Sequence, residues 1–188
     1  PPIYSPVNYN PLINTIMRLF QILIEGKVTD QIPVPKIASE LKRIDEIQEA
    51  LDDRAITDEE HYDKYERKYQ AYEAIKMVLL NNQKALNNQR LADKSSFKYV
   101  MERGHVVAAA HMVFAESSAE LKWLGSVSPG QGRELLELVK HEAQQKGIAN
   151  LDITSKFGSS EYYKKLGAKQ ITDHGEDPIT GTGDKFSY

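Results

Sequence analysis

The chain has 188 residues, 40% hydrophobic and 27% charged, with a formal net charge of −3 at pH 7. That length supports one domain with a real core, or one domain with an appendage, and the composition is ordinary for a soluble globular protein. The slight acidity argues against a general nucleic-acid or anionic-membrane binder. The absence of cysteine excludes disulfides, thiolate metal sites and a cysteine nucleophile. The longest apolar run, around residues 22–24, is far too short to span a bilayer, and no signal peptide is visible. The first residue is Pro1 rather than Met, so the chain reads as a fragment or a processed product. The expectation is a soluble, cytoplasmic protein, or a part of a larger or exported one.

Residues 3–9 (IYSPVNY) carry strand formers interrupted by Pro6, which permits an edge strand at best. Asn10 reads as a helix cap with Pro11 at the first helical position, and apolar residues recur at helical spacing up to Gly26. Pro33 and Pro35 break the next stretch. Residues 36–51 form a second helix pattern, with Ile37, Leu41, Ile44, Ile47 and Leu51 on one stripe. Thr57 followed by Glu60 reads as a capping box that opens a long helix to about Leu86. Tyr62, Tyr65, Tyr69 and Tyr72 share one face of it, expected as the inner face of a helical hairpin against the 36–51 stripe.

From Ser95 the period changes to strands. Residues 97–103 and 106–115 read as a hairpin about Gly104–His105, and residues 119–127 as a third strand. Residues 130–146 follow as a helix with Leu135, Leu136, Leu138 and Val139 inward, closed by Gly147. Then come a strand (148–154), a short helix (159–166) closed by Gly167, a strand (168–172), a polar Gly/Pro loop (173–183) and a last strand (185–188). The Gly loop that opens the 130–146 helix is the sharpest functional signal. Free N–H groups of a helix's first turn, with the helix dipole behind them, make an anion site. His105 and His111 lie six residues apart on one strand, about 20 Å, too far to share an ion, so no metal is expected. Trp123 reads as core, and His111 as a candidate to line an acceptor cleft.

Three local patterns resemble the GNAT superfamily of acetyl-CoA-dependent N-acetyltransferases. Gly130-Gln131-Gly132 precedes Leu135–Leu136 as in the family's acyl-CoA loop. Tyr162-Tyr163-Lys164-Lys165-Leu166-Gly167 matches a later helix, and Ala119-Glu120-Leu121 looks like a strand that carries a catalytic glutamate. The chain departs from the pattern at Val127 (Gln or Arg in the loop motif), Lys156 (often Asn) and Ala168 (often aromatic), and its loop is shorter. The resemblance implies an α+β, three-layer fold: a mixed, mostly antiparallel sheet flanked by helices, in a single domain over 1–188, with a helical hairpin insertion over 27–94.

It also implies chemistry. Acetyl-CoA would be the co-substrate, and an amine on a small molecule or a protein would be the acceptor. Backbone N–H groups from Gly130, Gln131, Gly132 and Arg133 would hold the pyrophosphate, with the Arg133 side chain adding a contact. The strand segment Leu124, Gly125, Ser126 and Val127 would line the co-substrate and polarise the thioester. Glu120 is the first candidate for general base, Asp152 the second, and Tyr163 the candidate for general acid. The alternative is a catalytically degenerate binding or adaptor module acting on a protein partner through the helical insertion; a third reading is a domain of a larger toxin or effector. The acidic stretch 45–60 either attracts a cationic acceptor or is a solvated face.

Overall fold

In a computed structural model, the structure describes residues 27–156, 160–172 and 182–188. The expected strand at 3–9 and helix at 10–26 lie outside them, as do residues 173–181 of the polar loop. The described elements are β1 (Lys27–Thr29), α1 (Val34–Thr57), a 3-10 turn (Glu59–His61), α2 (Tyr62–Leu86), α3 (Gln89–Ala92), β2 (Ser95–Glu102), β3 (His105–Phe114), β4 (Ala119–Ser126), α4 (Gln131–Gln145), β5 (Leu151–Lys156), α5 (Ser160–Lys165), β6 (Lys169–Thr172) and β7 (Thr182–Ser187).

The strands form one sheet in the order β1-β2-β3-β4-β5-β7-β6. Every neighbouring pair is antiparallel except β4 and β5, which run parallel. The β2–β3 hairpin turns on Arg103 (φ 50) and Gly104 (φ 80). Two successive positive φ values give the two-residue turn whose twist suits a hairpin, one residue earlier than the sequence reading placed it. β1 is three residues long and, among the described strands, pairs only with β2; it is too short to leave a period in the sequence.

Each face of the sheet has its own core. On one side α4 buries Leu135, Leu136 and Val139 against Val100, Ala110, Met112, Leu121, Ile153 and Phe186. On the other, α1 and α2 bury Ile37, Ile44, Ile75, Val78 and Leu79 against Tyr99, Val106 and Ala109. The helical pair is thus the second outer layer of a three-layer molecule. Of the tyrosine face, Tyr72 is buried, Tyr65 and Tyr69 pack at the edge of this core, and Tyr62 is 50% exposed.

Glu40 ties α1 to the β2–β3 hairpin. It is fully buried, and its carboxylate takes Lys36 at 2.7 Å, Arg43 at 2.8 Å, His105 Nδ1 at 3.1 Å and the Val106 N–H at 3.1 Å. Burial alone would raise its pKa, but these partners together hold it below the usual carboxylate value.

The expected capping box at Thr57 does not form. Thr57 belongs to the last turn of α1, and its hydroxyl donates back to the carbonyls of Asp53 (3.0 Å) and Arg54 (3.1 Å). That local bond competes successfully with capping. Asp58 serves the start of α2 instead: its carboxylate meets His61 Nδ1 at 3.1 Å and accepts the Tyr65 hydroxyl at 3.1 Å.

Candidate functional site

The site begins where two parallel strands part. β4 and β5 pair over only three positions: Ala119 with Leu151, Glu120 with Asp152, and Leu121 with Ile153. Beyond Leu121, β4 stays on β3 and β5 stays on β7. A bulge helps: His111 pairs with Trp123 and Met112 with Leu121, so Lys122 is the extra residue. Bulges bend and twist a strand locally.

The parted edge of β4 offers polar backbone. The Val127 N–H donates to the Val107 carbonyl at 2.9 Å, and Ser126 stands opposite Ala108. Ser126 and Ala108 are therefore a non-hydrogen-bonded pair, and so are Leu124 and Ala110, two residues back. The N–H and C=O groups of Leu124 and Ser126 then point away from β3, into the gap. Those of Gly125 point at β3.

The Gly loop closes one end of this gap. Gly130 (φ 84, left-handed) is the cap residue of α4, a conformation in which a Cβ is strained. Its carbonyl accepts the Arg133 N–H at 3.1 Å and the Glu134 N–H at 3.2 Å, and the Gln131 N–H reaches the Ser128 carbonyl at 3.4 Å. No described residue takes the N–H of Gly130 or Gly132. Two free donors at the positive end of a 15-residue helix are the makings of an anion site.

The gap opens into a cleft of about 650 Å³. Its β4 wall runs from Leu121 to Ser126, its floor continues through Val127 to Gly130 with Gly132 and Arg133, and Thr154, Tyr162 and Tyr163 close the β5–α5 side. The opposite wall is α2, through Arg67, Gln70, Ala71, Glu73 and Ala74. Arg67 and Arg133 stand on facing elements, and neither has an ion-pair partner among the described residues. A smaller hollow of about 480 Å³ adjoins the cleft, lined by the first turns of α2 and by Ser126 and Val127.

The structure brings Leu124, Gly125, Ser126, Val127, Gly130, Gly132, Arg133 and Tyr163 together around one cleft. Gln131 does not line it; its side-chain oxygen is buried with no partner among the described residues. Glu120 and Asp152 do not line it either. They are side by side in the β4–β5 register, and Glu120 is held by Lys122 at 2.6 Å.

Tyr163 is 8% exposed and packs edge-on against Tyr162 and tilted against Phe186. Burial first, then the neighbouring Tyr162 and Tyr188, raise its pKa, so it stays a neutral phenol. Tyr162, read as packing, is 40% exposed, and its hydroxyl oxygen lies 3.5 Å from where a Cβ on Gly132 would stand. His111 does not reach the cleft. It is 4% exposed and stacked on Phe97 at 4.6 Å, with Nε2 3.3 Å from the Ser95 hydroxyl.

Sequence reasoning passed over Arg67, Gln70 and Glu73, because their helix was read only for its tyrosines. A signal was there. Arg67, Gln70, Ala71 and Ala74 recur at three and four residues, and two alanines on one helix face mark a close approach to something.

No protein-family model matches the sequence, and no curated protein matches it. Solved structures do. The PaiA N-acetyltransferase from Thermoplasma acidophilum, in complex with coenzyme A, superimposes with a TM-score of 0.51 over 87% of this chain and 98% of its own, at 15% identity. The fold is GNAT-like. A GNAT family acetyltransferase from Elizabethkingia anophelis with acetyl-CoA bound is similar over 55% of this chain and 79% of its own (16% identity, TM-score 0.42). The ribosomal-protein-S18-alanine N-acetyltransferase from Escherichia coli is similar over 50% and 67% (20% identity, TM-score 0.42). The parted β4–β5 pair and the Gly loop lie within the described part of the fold. Among the described residues no helix is long and apolar enough to cross a membrane.

Proposed function

We propose that this chain is an acyl-CoA-dependent N-acyltransferase that moves an acetyl group from acetyl-CoA directly to a primary amine. One observation carries the reading: β4 and β5 part beside a Gly loop whose free N–H groups open α4. The gap suits an extended pantetheine arm, because its β4 edge offers unpaired backbone groups at Leu124 and Ser126. The loop suits a pyrophosphate, through Gly130 and Gly132 with Arg133 and Arg67 on either side.

In the transfer, the amine nitrogen bonds to the thioester carbon, the C–S bond breaks, the amine gives up a proton and the CoA thiolate takes one. An N–H on the β4 edge, at Leu124 or Ser126, supplies a fixed donor to the developing oxyanion. Tyr163, protonated and on the cleft wall, is the candidate donor to the thiolate. Glu120 serves as base only through water or after leaving Lys122; Asp152 beside it is the second candidate. The two helices α1 and α2, within the insertion over 27–94, supply the acceptor side.

A second reading, a catalytically silent adaptor acting through those helices, is favoured by two observations. Glu120 is tied to Lys122 outside the cleft, and the N–H of Val127, at the Gln/Arg position of the loop motif, is already spent on Val107. Melting temperature with acetyl-CoA, desulfo-CoA and ATP separates the two. A ligand at 100 times its Kd stabilises by about 2.7 kcal/mol. A shift specific to the CoA compounds, with amine-dependent thiol release, supports the transferase. No shift at millimolar acetyl-CoA sinks it.

A further inference from the structure

Glu73 sits on the α2 wall of the cleft, six residues from Arg67, which along a helix is about 9 Å. Its carboxylate accepts one hydrogen bond, from Gln48 Nε2 at 3.0 Å. Gln48 is 4% exposed, and its own oxygen accepts Lys76 at 3.3 Å. Lys76, which attracts Glu73 only from beyond ion-pair distance, is ion-paired with Asp45 at 2.7 Å. Glu73 therefore has an oriented carboxylate and, among the described residues, no cation within ion-pair distance. Two other carboxylates of low exposure do have cations: Glu40 has Lys36 and Arg43, and Glu142 has Lys98 at 2.8 Å. A partly buried carboxylate held by an amide alone is short of a counter-charge. The cleft is thus polarised along its length, with guanidinium groups at the Gly-loop end and a carboxylate on the helix wall.

Resting on the transferase reading, we propose that Glu73 binds a positive charge of the acceptor, and that this charge is not on the amine that is acetylated. The reacting nitrogen must be neutral to attack, and a carboxylate in contact with it would raise its pKa and keep it protonated. The preferred acceptors are then amines that carry a second cationic group, and Glu73 sets that preference.

Calorimetric titration of the full chain with hexamethylenediamine and with hexylamine tests this directly, without turnover. The expected result is at least about tenfold tighter binding of the diamine, lost in Glu73→Gln and kept in part by Glu73→Asp. Gln48→Leu, which leaves the charge but removes its orienting bond, should weaken the preference without abolishing it. Equal binding of the two amines, no binding of either, or a preference that survives Glu73→Gln overturns the proposal. The thermal shift with acetyl-CoA is read on the same samples. A shift without diamine preference fails this inference alone, and a diamine preference without the shift fails the transferase reading while the cation site stands.

Discussion

A Cβ built on Gly125 would stand 2.6 Å from the carbonyl oxygen of Ala71 and 2.8 Å from the Cβ of Ala74. Helix α2 lies directly on β4 at this point, backbone against backbone, and only hydrogens separate them. The contact fixes the distance between the two long walls of the cleft. Gly125→Ala must push α2 off the strand, because the obstacle is main chain and cannot rotate away. Overpacking of this kind costs about 1–3 kcal/mol, and for a chain this long each kcal/mol lowers Tm by about 2–4 °C. Calorimetry of the variant should show a loss of several degrees, and an unchanged Tm would refute the close contact.

Gly132 is a different glycine. A Cβ there would meet the Ser126 Cβ at 3.3 Å, which asks for a shift of a few tenths of an ångström, and the Tyr162 hydroxyl at 3.5 Å, an ordinary contact. Gly132→Val should still fold, with a smaller loss of Tm than Gly125→Ala, yet place a branched side chain where a phosphate would approach Gly130, Gly132 and Arg133. Acetyl-CoA affinity should fall at least tenfold, about 1.4 kcal/mol, in equilibrium binding. Full affinity in a folded Gly132→Val variant would show that the α4 terminus is not the phosphate site.

His111 sets a pH dependence of stability. Burial, then the positive charge of Lys122, lowers its pKa from 6.5 to about 4. The unfolded chain therefore binds the proton first, and the stability held by neutral His111 is complete above pH 6.5. It is lost progressively as pH falls towards 4 and changes no further below that. The span corresponds to about 3 kcal/mol. Urea unfolding between pH 7.5 and 4 should show this loss, and His111→Phe, which keeps the stack on Phe97, should remove that part of the slope. Parallel pH curves for the two proteins would contradict the assignment.

Much of the architecture was legible because periodicity reports packing. The strands from Ser95 onward, and α4 with its flanking glycines, fall within a few residues of where apolar spacing places them. What could not be read were relationships between distant segments. The capping box at Thr57 failed because a hydroxyl can bond backwards into its own helix, and the letters are the same in either case. Arg67 and Glu73 were missed because a charged helix face looks solvated until the strand beneath it is known. Glu120 matched a family pattern, but only the fold shows Lys122 beside it and the cleft elsewhere.

That ion pair makes the assignment of the base testable. Glu120 and Lys122 are each about two-fifths exposed and 2.6 Å apart, so the pair is weak in solution, about 0–1 kcal/mol, and can open. If Glu120 takes the amine proton, Glu120→Gln lowers kcat by about 10²–10⁴ while acetyl-CoA binding is unchanged. Lys122→Met, which frees the carboxylate, should then leave kcat intact or raise it. Tyr163→Phe, at a buried phenol that packs on Phe186, should fold and bind acetyl-CoA but release thiol more slowly, if its hydroxyl protonates the leaving sulfur. Steady-state kinetics of the three variants on one amine gives distinct outcomes. A Glu120→Gln enzyme with parent kcat passes the role of base to Asp152, its neighbour across the β4–β5 register, or to bulk water. A Tyr163→Phe enzyme with parent kcat leaves Tyr163 as a wall of the cleft and nothing more.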